Sequence, residues 1–262
     1  MKKKAKKKVD IKNKIKKFKY HTNKYLINYW LEIAIIIIAI VSVCVYYHDL
    51  NKPYVINKDF ESIDLTDVNN LMIVAHPDDE TLWGGLHLIE DNYLVVCITC
   101  GPNKERVNEF ISVMDETNDK YILLGYPDKT NGERDNWNSS RAGITADLEK
   151  IIALKDWNII ATHNPQGEYG HQHHKMTNQM VTQIVQDKTK LYYFGRYHSK
   201  AKMTDYIDDM TINDYSIKKK RKLIGLYPSQ KFIQTAFDHM YEYEDWENYY
   251  KWEGVAINEK VQ

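Results

Sequence analysis

Between Leu71 and Gly195 the chain alternates short apolar runs with amphipathic ones, and this constrains the fold more than anything else in it. LMIVA (71–75), YLVVCIT (93–99), YILLG (121–125), NIIATH (158–163) and LYYFG (191–195) read as strands. Between them, DETLWGGLHLIED, NKERVNEFISVMDETN, ITADLEKIIALKD and HHKMTNQMVTQIVQD repeat apolar residues at helical spacing, with Val107, Phe110, Ile111 and Met114 on one face of the second. Strands that are apolar end to end are buried on both faces, and parallel strands need helical crossovers. The pattern predicts an α/β fold: a mostly parallel sheet with helices on both sides. Beyond residue 196 it weakens. RKLIGLYPSQKFIQTAFDHMYEYEDWENYYKW reads as a helix, a break at Pro228, and a Tyr- and Trp-rich helix packed on the domain. The turn after the first strand has no G-x-G-x-x-G, and Gly84 and Gly85 come too late to cradle a pyrophosphate, which argues against a nicotinamide site.

The formal net charge is zero, yet it is unevenly spread. Residues 1–24 hold twelve of the 36 basic residues and only Asp10 among the acids. Residues 33–262 keep 24 basic and 34 acidic residues. A body this negative does not suit nucleic acid, whose phosphates need a basic face. After the arm, YLINYWLEIAIIIIAIVSVCVYY (25–47) carries an apolar span of about 20 residues, the length a bilayer requires. Tyr25, Tyr29 and Trp30 at one end, with Tyr46 and Tyr47 at the other, form an aromatic belt. A cleaved signal peptide is the competing reading, but the charged region is long and no small-x-small site follows. The expected organisation is a basic cytoplasmic arm (1–24), a single transmembrane helix (25–47), a linker (48–70) and a folded domain (71–262). Lysines before the span outnumber Lys52 and Lys58 after it, so the positive-inside rule keeps the N-terminus cytoplasmic and places the domain outside the cell membrane.

Cys97 and Cys100 form a C-x-x-C on a strand and its end. Residues three apart on a strand lie about 10 Å apart on opposite faces, too far for a disulfide. No second C-x-x-C completes a zinc site. They read as small buried hydrophobes.

Open α/β sheets bind ligands beyond the carboxyl ends of their strands. His76 follows the first strand directly, within AHPDDE, and THNPQGEYGHQHHKM (162–176) follows the fourth, so both stretches land on one edge. His76 and Asp79 lie three apart at a strand-to-helix turn, and His174 lies three after His171. One His from each stretch plus one Asp makes a two-His, one-carboxylate set. Such a set holds catalytic zinc with a position left for water, and it suits Fe(II) equally. Asp78 is then left over as a general base, and His171 as a group that stabilises an oxyanion or protonates a leaving amine. Glu80 reads as structural, favoured by the helix dipole. Helix capping is the plainer reading of Asp-Asp-Glu, and a polar helix start that of HQHH. Their joint placement favours a metal. His48, His87, His163, His198 and His239 read as surface or internally satisfied histidines.

AHPDDE and GEYGHQHHK, supported in order by TCGPNKERVNEF, LLGYPD and YPSQKF, make the chain resemble the PIG-L/LmbE-like metal-dependent N-deacetylases over roughly residues 70–240. The resemblance implies a Rossmann-like three-layer fold and removal of acetate from an N-acetylglucosamine-type sugar, in a glycoconjugate or surface polysaccharide. It implies His76, Asp79 and His174 as metal ligands and Asp78 as the base. His171 and Tyr169 match groups that stabilise the oxyanion and assist the leaving group, and Arg106 and Asp128 match residues that hold the sugar. The family's second motif often reads His-Pro-Asp-His, whereas Gln172 and His173 occupy its middle here. Which of His171, His173 and His174 faces the metal stays open at this level. Two other readings stand beside this one. The substrate is a lipid-linked sugar of the N-acetylglucosaminyl-phosphatidylinositol type, or the protein is a non-catalytic sugar-binding membrane protein.

Overall fold

The computed structural model describes residues 25–45, 59–99, 103–205 and 214–254. The basic arm, residues 46–58 and Cys100 lie outside these. Two units are resolved, one within residues 1–52 and one from Pro53 onward. In the first, α1 (Tyr25–Val45) is a single helix whose apolar side chains are exposed. Its length and composition suit a membrane span, and a signal sequence near an N-terminus has the same character.

The second unit is built on a six-stranded sheet in the order β3-β2-β1-β6-β7-β8. The strands are β1 (Asn70–Val74), β2 (Tyr93–Thr99), β3 (Lys120–Tyr126), β6 (Ile159–Thr162), β7 (Leu191–Tyr193) and β8 (Glu247–Asn248). The first five pair in parallel, and β8 joins β7 antiparallel. The helices α2 (Asp79–Glu90), α3 (Lys104–Thr117), α4 (Arg141–Ile152) and α5 (Gln172–Ile184) make the crossovers. The five parallel strands are those the apolar runs predict, and the fold is the three-layer α/β/α expected.

Alternation along each strand feeds two cores. Met72, Val74, Val95 and Cys97 pack on one face with Leu82, Trp83, Val107, Phe110 and Leu223. Leu71, Ile73, Val96 and Ile98 pack on the other with Ile144, Leu148 and Val181. Cys97 is a buried core residue, as expected. Within the expected linker, Phe60 and Val68 are buried in the second core. Lys155 Nζ donates to Leu65 O (3.0 Å) and Val68 O (2.7 Å), so the packed region starts ahead of Leu71.

The C-terminal expectation needs correcting. The helix before Pro228 exists, α6 (Asp214–Ile224), but no long Tyr- and Trp-rich helix follows. There are instead α7 (Lys231–Ala236), β8 and α8 (Tyr249–Trp252). Tertiary contacts override helical propensity here. Trp246 Nε1 donates to Trp83 O at 2.7 Å, its ring stacks on His87, and Glu244 accepts from Leu86 N and Lys220 Nζ. A short hairpin, β4 (Lys129–Thr130) with β5 (Glu133–Arg134), is also not foreseen. Its turn, Asn131-Gly132, has positive φ at both residues, as a two-residue hairpin turn demands.

Candidate active site

Strand order reverses between β1 and β6, which pair directly. A cleft opens at such a switch point. The residues just past these two strands, His76 and His163, are both buried there.

Between β1 and α2, the turn His76-Pro77-Asp78-Asp79 is tight. Asp78 sits at φ 101°, ψ −26°, a left-handed conformation costing a non-glycine residue about 1–3 kcal/mol. Its carbonyl accepts from Thr81 N, Leu82 N and Thr81 Oγ1, which holds the strained residue in place. Asp79 folds back over the turn. Its Oδ2 accepts from His76 N (2.8 Å) and lies 3.1 Å from His76 Nδ1, while its Oδ1 lies 3.2 Å from His174 Nε2.

The second stretch enters through a loop that needs glycine. At Gly167 (φ +67°), a Cβ would meet His171 O at 2.6 Å. Glu168, itself at φ 51°, is fully enclosed and clamps three groups. Its Oε2 accepts from His174 Nδ1 (2.5 Å) and His163 Nδ1 (3.0 Å), and its Oε1 from Asn164 N (2.9 Å). His163 Nε2 accepts from Ala75 N at 2.9 Å, so both its nitrogens are committed to protein partners. His173 is likewise engaged. Its Nδ1 meets His76 Nε2 at 3.0 Å, its Nε2 donates to Asp135 O at 2.6 Å, and its ring stacks 4.0 Å from that of Trp137.

Two nitrogens of the HQHH stretch stand out. His174 Nε2 is buried and makes no hydrogen bond although Asp79 is near, and His171 Nδ1 is buried without a partner. A histidine whose far nitrogen is fixed by a carboxylate and whose near nitrogen is left bare is oriented as a metal ligand. Among the described residues, three sets bring one donor atom from each member within 4.8 Å of one another: His76, His171 and His174; Asp79, His163 and His174; His76, Asp128 and His173. The structure thus brings His76, Asp79 and His174 together, with His171 among them. The bare Nε2 and the mixed nitrogen and oxygen donors fit a divalent ion such as Zn2+ or Fe2+.

Charge points the same way. Burial pushes Asp79 up, but His174 and His163 outweigh it and hold the carboxyl well below its usual range. Glu168 likewise falls to about 2, against burial, through His163 and His174. Burial pushes His174 down, yet Asp79 and Glu168 raise it to about 10. Two buried anions thus demand a positive charge between them, which a proton or a metal ion can supply.

Asp78 differs. Burial raises it to about 7, with Arg106 opposing. Arg106 Nη2 reaches Asp78 Oδ2 at 3.2 Å and also donates to Pro77 O, so this guanidinium fixes the Asp78 turn as well as lining the cleft. His171 is lowered to about 2 by burial and by His174 and His76, and is neutral. Asp128 Oδ1 lies 3.4 Å from His76 Nε2 and 3.0 Å from Arg134 Nη1. Tyr169, beside Trp83 and Phe237, is raised by burial and by Asp79, and is 43 % exposed at the cleft. Glu80, in the first turn of α2, is fully buried. Tyr227 Oη donates to its Oε1 at 2.5 Å, Asp78 N donates to its Oε2 at 3.0 Å, and burial raises it to about 8.

The cleft holds about 170 Å³ and is lined by all the sequence-derived site residues except His174. A larger cavity of about 570 Å³, between α4 and α5, shares none of these residues, so its size assigns it no chemistry. Sequence reasoning passed over Glu168 and left His163 without a role. His163 follows β6 just as His76 follows β1, so the strand-end rule points to it as well.

A family model described as GlcNAc-PI de-N-acetylase, PIG-L, matches residues 71–185. Uncharacterized protein L374 of Acanthamoeba polyphaga mimivirus is 33% identical over 190 residues, covering 66% of this chain and 76% of the relative. The chain belongs to the PIG-L family. Membership supports an enzyme of the deacetylase kind for GlcNAc-type substrates, and PIG-L proteins are often metal-dependent. A solved structure, the 4-carboxy-2-hydroxymuconate hydratase GalB from Pseudomonas putida KT2440, aligns with TM-score 0.46 and 12% identity. It covers 66% of this chain and 84% of its own, a remote likeness that says nothing of chemistry.

Proposed function

We propose that this PIG-L protein is a metal-dependent N-deacetylase that removes acetate from an N-acetylglucosamine-type sugar of a glycoconjugate or surface polysaccharide. The observation that carries the reading is the buried Nε2 of His174, which makes no well-formed hydrogen bond, lies 3.2 Å from Asp79 Oδ1 and is fixed from behind by Glu168. His76, Asp79 and His174 would hold the ion. A bound divalent ion supplies Lewis acidity, acidifying water and polarising an amide carbonyl.

The chain's own groups do the rest. Asp78, in the cleft beside Asp79 and raised by its burial, takes the proton of the attacking water and passes it on to the departing amine. Neutral His171 and the Tyr169 hydroxyl donate hydrogen bonds to the developing oxyanion. Arg106 holds the Asp78 carboxylate in the cleft, and Asp128 steadies His76 and Arg134. The cleft volume is well below the roughly 300–1,000 Å³ of drug-sized pockets, which suits one sugar residue rather than a long glycan segment.

The organisation proposed is a cytoplasmic basic arm (1–24), an anchor (25–47), a linker whose later part packs on the domain, and an extracytoplasmic catalytic domain. A lipid-linked sugar is the second reading, favoured by the family's description and by α1. Metal analysis of the purified protein, with acetate release measured on soluble and lipid-linked N-acetylglucosamine conjugates before and after chelation, tests both. Acetate release that persists after complete metal removal would refute the metal role. Release from none of the conjugates would leave the sugar-binding alternative.

A further inference from the structure

The lining of the cleft is polar except at one corner. Among the described residues that line it, Leu82 and Ile233 are the aliphatic ones. Leu82 comes three residues after Asp79 and four after Asp78, a spacing that places it on their side of α2. Ile233, on α7, is partly buried against the core that holds Leu82, Trp83 and Phe237. Aromatic rings back this corner. Trp83 is buried, its ring centroid lies 5.6 Å from that of Phe237, and Phe237 lies 4.8 Å from Tyr169. The wall that carries Ile233 is pinned. Gln234 Nε2 donates to Ile224 O (2.8 Å) and Tyr227 O (2.7 Å), and Tyr241 Oη donates to Gln234 O (2.7 Å).

We propose that Leu82 and Ile233 form a pocket for the end of the acyl group, which limits the reaction to short acyl chains. This rests on the deacetylase reading and adds to it the acyl length that the site accepts. Near the scissile bond an N-acetyl sugar is polar apart from the acetyl methyl, so that methyl is the group an aliphatic corner suits. With the amide carbonyl beside Asp78, Leu82 stands one helical turn further along α2, where the methyl projects. A longer chain has to push into packed side chains held by a pinned helix, and such packing resists even one extra methylene.

The test uses the full-length, metal-loaded protein in detergent and three ligands: methyl N-acetylglucosaminide and its N-propionyl and N-butyryl homologues. Release of the carboxylic acid gives kcat/KM, and calorimetry gives affinity. In the parent, kcat/KM should fall about 10–200-fold for the first added methylene and further for the second. Ile233→Ala and Leu82→Ala should each bring the propionyl compound about tenfold closer to the acetyl one, while Leu82→Met, of similar volume, keeps the parent's order. Leu82 also packs in the core, so Ile233→Ala, at a partly buried position, decides the matter if Leu82→Ala does not fold. A parent that takes butyryl and acetyl equally well overturns the proposal. So does a discrimination that stays at the parent's value in Ile233→Ala. If none of the three releases acid, the deacetylase reading fails, while the order of affinities in parent and variants still decides the pocket.

Discussion

His174 turns Nδ1 onto Glu168 at 2.5 Å and leaves Nε2 buried, without a well-formed hydrogen bond, 3.2 Å from Asp79 Oδ1. Glu168 thereby fixes both the ring's orientation and which nitrogen faces Asp79. Glu168→Gln should weaken metal affinity about 10–100-fold, because outer-shell partners of a ligand histidine tune its basicity and aim. Competition with a chromogenic chelator reads this out. Unchanged affinity would show that Glu168 serves only the fold.

Asp78→Asn removes a base without removing a ligand. The variant should bind metal like the parent and lose about 10²–10⁴ in kcat. His76→Ala should lose the metal itself. Full turnover by Asp78→Asn would sink the base assignment.

Arg106 lowers the pKa of Asp78 against the effect of burial. In Arg106→Met that opposition is gone, so the carboxyl keeps its proton to higher pH. The base must be deprotonated to act. The acidic limb of the kcat/KM profile should therefore move to higher pH, which a pH series on one soluble substrate measures. A limb that stays put would mean that another group controls it.

Glu80 affects stability. Its folded pKa is about 8 against an ordinary 4.5, so between those values the folded state holds a proton that the unfolded state has released. Stability then falls as pH rises through this window, by at most about 1.4 kcal/mol per unit from this group. Glu80→Gln mimics the protonated acid and should flatten that decline. Urea midpoints of parent and variant from pH 5 to 8 compare the slopes, and equal slopes refute the assignment.

Gly167→Ala places a Cβ 2.6 Å from His171 O at φ +67°. It should cost more than about 1 kcal/mol and shift the start of α5, lowering both Tm and metal affinity.

The five parallel strands are legible because burial on both faces leaves unbroken apolar runs. AHPDDE is legible because its acids follow such a run. Glu168 is not, since one acid in a polar loop shows nothing of the two imidazoles it clamps. His163 escapes for a related reason: its partners, Ala75 N and Glu168, come from two separate segments. The C-terminal stretch misleads because Trp246 and Glu244 are fixed by contacts with α2, more than 150 residues earlier. The positive-φ turn at Asn131-Gly132 is a readable hairpin signal, but the alternation around it is too short to flag strands.

The pairing of β1 with β6 also sets an order of events. Asp78 and Asp79 leave the ribosome about 100 residues ahead of His174, roughly 5–20 s earlier at ordinary synthesis rates. Until β6 docks beside β1, the acids have neither Glu168's histidines nor a complete donor set. On the proposed metal reading, capture of the ion would therefore be a late step that reports on a long-range strand pairing. A metal-sensitive signal during refolding would time the closure of the sheet's two halves rather than the formation of either one.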